Sequence, residues 1–450
     1  MHSTALRLAA LLLVLAVSAG ASQAAFAASM SAVVHKASVE VRGAPDFKAP
    51  TVATLKRNAA VTVAGQQGMW FRIELPAGQP GFVRVNDVRV SHAGKQASSS
   101  GVRALFGGKA GKGRTTETAG VRGLDESTLR SASYNAAQMA KLASYQATPE
   151  AAARQARSHG WSATRVAFAS EARPGERGGS TQAQKRGALS GARGLLSQIG
   201  GGLLGGRAGD AMDVADAAAG KSEDELSAEE LALGPEITGR ILGAAPLVDD
   251  PDAQRRVNLI GRWMASQTTR PELPWSFGVI ESDDVNAFAA PGGYVLVTRG
   301  LYDLLADDTE VAAVLGHEIS HVVQRDHYNV IRKQAITETA QDIAAGQVRV
   351  GGDIAAGMAK DYVRRHGATV MLTRLDRDAE FHADEASEIY LARSGFNPLG
   401  LYAVLQKMTA LGTQSPSLEQ LYKTHPALDD RLDRIDRRSL AGLQQYTQRN

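Results

Sequence analysis

The stretch His317-Glu318-Ile319-Ser320-His321 decides how this chain is read. Two histidines four apart on a helix share one face, with Cβ atoms about 5–6 Å apart, so both imidazoles can reach a single metal ion. Glu318 follows the first histidine and sits beside such an ion without having to bind it. The pattern H-E-x-x-H thus supplies two ligands and a general base. Its helix is expected to begin near Asp308, with Asp307 or Asp308 as N-cap and Glu310 in the first turn. Val311, Leu315, Ile319 and Val322 recur at three- and four-residue spacing and predict its buried stripe.

Hydrolysis at zinc needs a third protein ligand and one open position. His327, six residues after His321, has the spacing of H-E-x-x-H-x-x-G-x-x-H. That arrangement needs a glycine where this chain has Gln324, a good helix former. If the helix continues, His327 lies roughly 9 Å further along the axis and about 240° round, out of reach; no role is assigned to it. The other candidate is Glu380, on a helix expected from about Asp376 to Ser394 and ended by Gly395. Asp384, one turn on, shares its face. One carboxylate can bind zinc while the other accepts the free ring N–H of a ligand histidine. His382 is two residues from Glu380 and faces elsewhere.

Outward from these helices, Glu229 to Leu242 and Asp252 to Gln267 have helical spacing, Leu273 to Ile280 is strand-like, and 294–298 is a short β-branched strand after a Gly292-Gly293 turn. Residues 171–225 are Gly-rich and charged and are expected to be flexible. Residues 126–170 read as a small helical segment, with Leu129, Met139, Leu142 and Tyr145 as packing positions. Residues 92–125, rich in Gly, Ser, Lys and Arg, read as a linker. Residues 30–91 alternate as short strands at 39–42, 61–63 and 70–75, with turn signals between them, and predict a small all-β barrel with Trp70 in its core.

Residues 1–27 have the form of a signal peptide: Arg7, an apolar run from Leu8 to Val17, and Ala25-Phe26-Ala27 as cleavage site. Export is expected, with no integral membrane span in the mature chain, because no later stretch holds 18 uninterrupted apolar residues. There is no cysteine, so any metal site must use histidines and carboxylates. The 50 Lys+Arg against 47 Asp+Glu are too evenly balanced to point to nucleic acid.

Residues 229–437 resemble the HtpX/BepA-like zinc metallopeptidases. The blocks that carry the resemblance are Asn286-Ala287-Phe288-Ala289 with Pro291-Gly292-Gly293, Thr298-Arg299-Gly300-Leu301, Gly316 to His321, Glu380 to Asp384, and Thr424-His425-Pro426. Residues 30–91 resemble a bacterial SH3-like domain through Val41-Arg42, Pro45, Leu55, Trp70 and Gly78 to Val83. Together they imply an α+β chain: a mainly helical zincin-type (gluzincin) domain with a small β-sheet over 226–440, preceded by an SH3-like barrel and a flexible linker. The implied centre is one Zn2+ per chain, held by His317, His321 and Glu380, with Glu318 as base. The resemblance also makes strand 294–298 the edge along which an extended polypeptide pairs, with Asn286, Ala287, Phe288, Tyr294, Val295, Leu296 and Val297 as substrate contacts. His425 matches a histidine near the zinc, which can take the fourth metal position or stabilise an oxyanion. Its place before Pro426 restricts it to extended backbone.

Two departures stand out. Relatives often carry Arg-His after the histidine helix, where this chain has Arg325-Asp326-His327. The membrane helices of the HtpX branch are absent, which points to the soluble exported branch. The expectation is an exported, periplasmic zinc endopeptidase acting in protein quality control on unfolded or misassembled envelope proteins. The alternatives are a hydrolase of peptidoglycan stem peptides and a chaperone or scaffold with a closed zinc site. The SH3-like domain is expected to bind cell wall or protein, and 334–368 to form a lid or a plain helical spacer.

Overall fold

The computed structural model describes residues 29–75, 78–91, 123–171, 214, 221–347, 354–412, 415–438, 440 and 442–449. The expected signal segment, most of the expected linker and most of the 171–225 stretch lie outside the described residues. Among the described residues no helix is long and apolar enough to cross a membrane.

Seven strands build the N-terminal part: β1 (Met30–Val34), β2 (Ser38–Arg42), β3 (Thr51–Lys56), β4 (Ala60–Gln67), β5 (Trp70–Glu74), β6 (Pro80–Arg84) and β7 (Val88–Val90). All neighbours pair antiparallel, in the order β3-β2-β6-β5-β4-β1-β7. Period-two alternation puts Val39, Val41, Val63, Phe71, Ile73 and Val83 on the buried face. The expected small all-β unit is thus present as an open sheet: among the described residues no pairing joins its outer strands β3 and β7. Trp70 is buried, edge-on to Phe47 and covered by the Arg84 guanidinium.

The helices are α1 (Glu126–Ser131), α2 (Ala136–Ser144), α3 (Pro149–Ser158), α4 (Glu223–Ala244), α5 (Pro251–Ala265), α6 (Arg299–Tyr302), α7 (Asp308–Gln324), α8 (Asp326–Ala344), α9 (Ile354–His366), α10 (Arg377–Ser394), α11 (Gly400–Leu411), α12 (Glu419–Thr424) and α13 (Leu428–Arg438). α4 starts earlier than the apolar spacing suggested, because Ser222 and Glu225 form a reciprocal cap at its N-terminus. Within the 126–170 segment, Leu129 and Leu142 share a core with Leu233, Ile237 and Phe288. Residues 334–344 and 354–366 lie on α8 and α9, joined by the Tyr362 hydroxyl to Gln334 and by His366 to Glu338.

Three strands form the second sheet: β8 (Ser276–Ile280), β9 (Ala287–Ala290) and β10 (Tyr294–Thr298), in the order β8-β10-β9. This corrects the expectation for 294–298. β10 is the central strand, parallel to β8 and antiparallel to β9, so its backbone groups are already paired on both sides and it is not an edge for a guest chain. The outer side of β8 is also occupied: the side chains of Gln254 and Asn258 on α5 bond the N–H and C=O groups of Val279 and Phe277. Among the described residues, the remaining unpaired edge of this sheet is β9.

The N-terminal sheet docks on the helical part through α11. Gln406, fully buried, accepts from Val90 N–H and donates to the carbonyls of Val85 and Val88. The next residue, Lys407, is also fully buried and binds Glu310 at 2.6 Å. Gln66 of β4 reaches the same carboxylate at 2.7 Å.

Candidate metal centre

α7 begins as expected, with the Asp307 side chain accepting from Glu310 N–H. It is buried all round rather than along one stripe: every residue from Thr309 to Gln324 is buried, because α10, α11 and the second sheet enclose it. α10 runs opposite and ends at Gly395, whose φ of 91° suits glycine.

These two helices bring three side chains together, and the residue that ends α12 adds a fourth. His317, His321, Glu380 and His425 each offer a ligand atom, and all four atoms lie within 4.8 Å of one another. His317 Nε2 is 3.2 Å from His321 Nε2 and 3.7 Å from Glu380 Oε2, and His321 Nε2 is 3.9 Å from Glu380 Oε1. A tetrahedral zinc with bonds of about 2.0–2.2 Å separates its ligands by roughly 3.3–3.6 Å, so the set fits such an ion. Glu380 Oε2 is buried with no hydrogen-bond partner, as suits an oxygen meant for a cation. His425 Nε2 lies 3.7 Å from Glu380 Oε2. Its backbone is extended, φ −117° and ψ 161°, as its place before proline requires. His382 turns away and meets the Ser170 carbonyl.

Each helix histidine has a carboxylate behind it. Asp384 Oδ1 is 3.1 Å from His317 Nδ1, as the spacing on α10 suggested. It is itself held by both ends of the Arg431 guanidinium, at 2.5 and 3.0 Å. Burial raises the Asp384 pKa, but Arg431 and the His317 bond outweigh it and hold the carboxyl far below the usual range. Behind His321 stands Asp326, at 2.8 Å from Nδ1. Burial lowers the His321 pKa, but Asp326 and Glu380 reverse this and raise it to about 9. Burial, then Arg431, lower His317 to about 4. Glu380 is pushed up to about 7, chiefly by burial, and burial also raises Glu318.

Asp326 and Arg431 were not foreseen as parts of the site. Arg431 left a readable signal: Leu428, Leu432 and Ile435 form the apolar face of α13, and Arg431 falls within it. Asp326 depends on a backbone event. The helix does not run on through Gln324; Arg325 adopts φ 60° and ψ 31°, and a new helix starts at Asp326. Arg325 pays for this left-handed turn with ion pairs to Glu230 and Glu223. The break also overturns the placement of His327. Its ring lies 5.9 Å from that of His321, and burial and His321 lower its pKa to about 3.

A cavity of about 10 Å3, room for roughly one water, lies among Glu318, His321, His327, Glu380 and His425. Asn286, Ala287, Phe288, Met371, Thr373 and Leu375 also line it. Tyr294, Val295, Leu296 and Val297 are not among its lining residues.

Residues 251–439 match the model of Peptidase family M48. The chain is 28% identical over 206 residues to the beta-barrel assembly-enhancing protease of Escherichia coli, covering 45% of this chain and 42% of that one. It is 31% identical over 173 residues to the metalloprotease LoiP of Escherichia coli, covering 38% and 65%. It is also 28% identical over 205 residues to a protease HtpX homolog of Sulfurovum, covering 38% and 71%. The chain thus spans under half the length of the first of these relatives. With the site's geometry, these likenesses make residues 251–439 a peptidase M48 domain similar to those of the beta-barrel assembly-enhancing and HtpX proteases.

Proposed function

We propose that this chain is an exported zinc endopeptidase that cuts unfolded or misassembled envelope polypeptides. The observation that carries the reading is the set of four ligand atoms within 4.8 Å, with Glu318 lining the same cavity. His317, His321 and Glu380 would hold the zinc, with His425 as a fourth, displaceable partner. When bound, the metal supplies acidity to a water and polarises the scissile carbonyl. Glu318 takes the proton of the attacking water and returns it to the leaving amine; its raised pKa brings it toward the range where both transfers are easy. Asp384 and Asp326 fix the tautomer and orientation of the two imidazoles. The substrate backbone adds to the free edge of β9, which borders the cavity at Ala287 and Phe288. A polypeptide does not fit a cavity of about 10 Å3, so entry needs His425 and the Met371–Leu375 stretch to draw back. The envelope as workplace is supported by the leader-like residues 1–27 and by the name of the beta-barrel assembly-enhancing relative.

The test is metal analysis with a casein digest. Wild type should carry one zinc and cleave, and Glu318→Gln should keep the zinc and lose turnover by about 100-fold or more. Full activity in that variant refutes the assignment of the base. Equimolar zinc with no cleavage by either form favours a scaffold.

A further inference from the structure

We propose that His327 is a substrate-binding residue, whose Nδ1 hydrogen-bonds the backbone of a polypeptide laid along the free edge of β9. The inference rests on the peptidase reading above and names a contact that reading does not contain.

Three observations meet here. First, His327 lines the same cavity as Glu318 and Glu380, yet it lies outside the four-residue ligand group. It borders the reacting centre without belonging to the metal's own set. Second, its Nδ1 is buried and has no hydrogen-bond partner. A ring nitrogen left so is unfavourable, and a peptide group arriving in the cavity would relieve it. Third, Asn286 lines the same cavity, and its Oδ1 is also buried and without a partner. A peptide unit brings one N–H and one C=O, and a neutral imidazole brings one donor and one acceptor. A guest backbone between Asn286 and His327 can satisfy both: its N–H donates to Asn286 Oδ1, and its carbonyl accepts from His327.

The position of the ring follows from the backbone. The left-handed Arg325 stops α7, and α8 starts one residue later with Asp326 and His327 in its first turn. Asp326 turns to His321 at 2.8 Å, while the neighbouring His327 turns to the cavity. Had the helix continued, neither side chain would reach the site.

The experiment uses the zinc-loaded full chain with fluorescein-labelled β-casein. Binding is read by anisotropy in a Glu318→Gln background, where no cleavage interferes. Adding His327→Phe keeps a ring and removes the nitrogens; it should weaken casein binding roughly fivefold. With Glu318 intact, His327→Phe should raise KM by a similar factor, with kcat nearly unchanged and bound zinc equal to wild type. His327→Asn, whose amide can stand near Nδ1, should restore most of the binding. His327→Ala adds no bulk and should show the same loss, which covers a Phe variant that does not fold. Unchanged binding in the Phe and Ala variants overturns the proposal, and so does a loss of zinc that parallels the loss of binding. If Glu318→Gln keeps its turnover, the peptidase mechanism fails, while the binding comparison still reports on His327.

Discussion

His317 and His321 stand one turn apart on α7, yet the carboxylates behind them differ in origin and in surroundings. Asp384 comes from the middle of a regular helix, is buried, and is gripped by an arginine that is only 3% exposed. Asp326 comes from a broken backbone, is 16% exposed, and faces its histidine at 2.8 Å. The first is part of the core and carries a charge balance with it. The second is a local device that acts on one ring. One helix face therefore holds a ligand tied to global stability beside a ligand whose support can be altered alone.

Three substitutions break or sharpen this contrast. Asp384→Asn should do most harm, because Arg431 is then buried without its counter-charge; the expected loss is about 3–5 kcal/mol in chemical denaturation. A loss under about 1 kcal/mol would erase the distinction. Asp326→Asn should leave stability within about 1 kcal/mol and weaken zinc about 10- to 100-fold, read by competition with a chromophoric chelator. The smallest effect concerns Glu388, one turn beyond Asp384 and 5% exposed. Burial, then the Asp384 charge, raise its pKa well above the carboxylate range. The unfolded chain releases this proton near pH 4.3 while the folded chain keeps it. The native state is thus disfavoured progressively as pH rises above that value. Glu388→Gln removes the dependence, so its melting temperature relative to wild type should climb between pH 5 and pH 8. A flat difference would show that the acidic load on α10 is not felt.

The same contrast explains what could be read from the sequence. Glu380 and Asp384 were legible because helical spacing converts directly into a shared face, and His317 and His321 for the same reason. The cap at Asp307 and the stop at Gly395 followed from side chains with plain backbone preferences. Arg325 gave no such notice. Nothing local favours φ 60° at an arginine; the turn is held by Glu230, ninety-five residues earlier, which also binds Arg270 and the Gly292 N–H. Asp326 and His327 were hidden behind that long-range contact. Strand order was hidden likewise. Periodicity marked β8 and β10 as strands, but it could not show that Gln254, Asn258 and the backbone of Leu247 and Val248 occupy the outer side of β8 and leave β9 as the open edge.

Gln406 and Lys407 are consecutive, yet one grips the first sheet and the other the start of the histidine helix. A fragment that begins after residue 91 would leave the Gln406 amide facing three missing backbone groups and Glu310 without Gln66. The β-rich portion is therefore no detachable accessory. The whole molecule should melt in one calorimetric peak, and anything that tugs on the N-terminal strands also pulls at the root of the helix that bears the histidines.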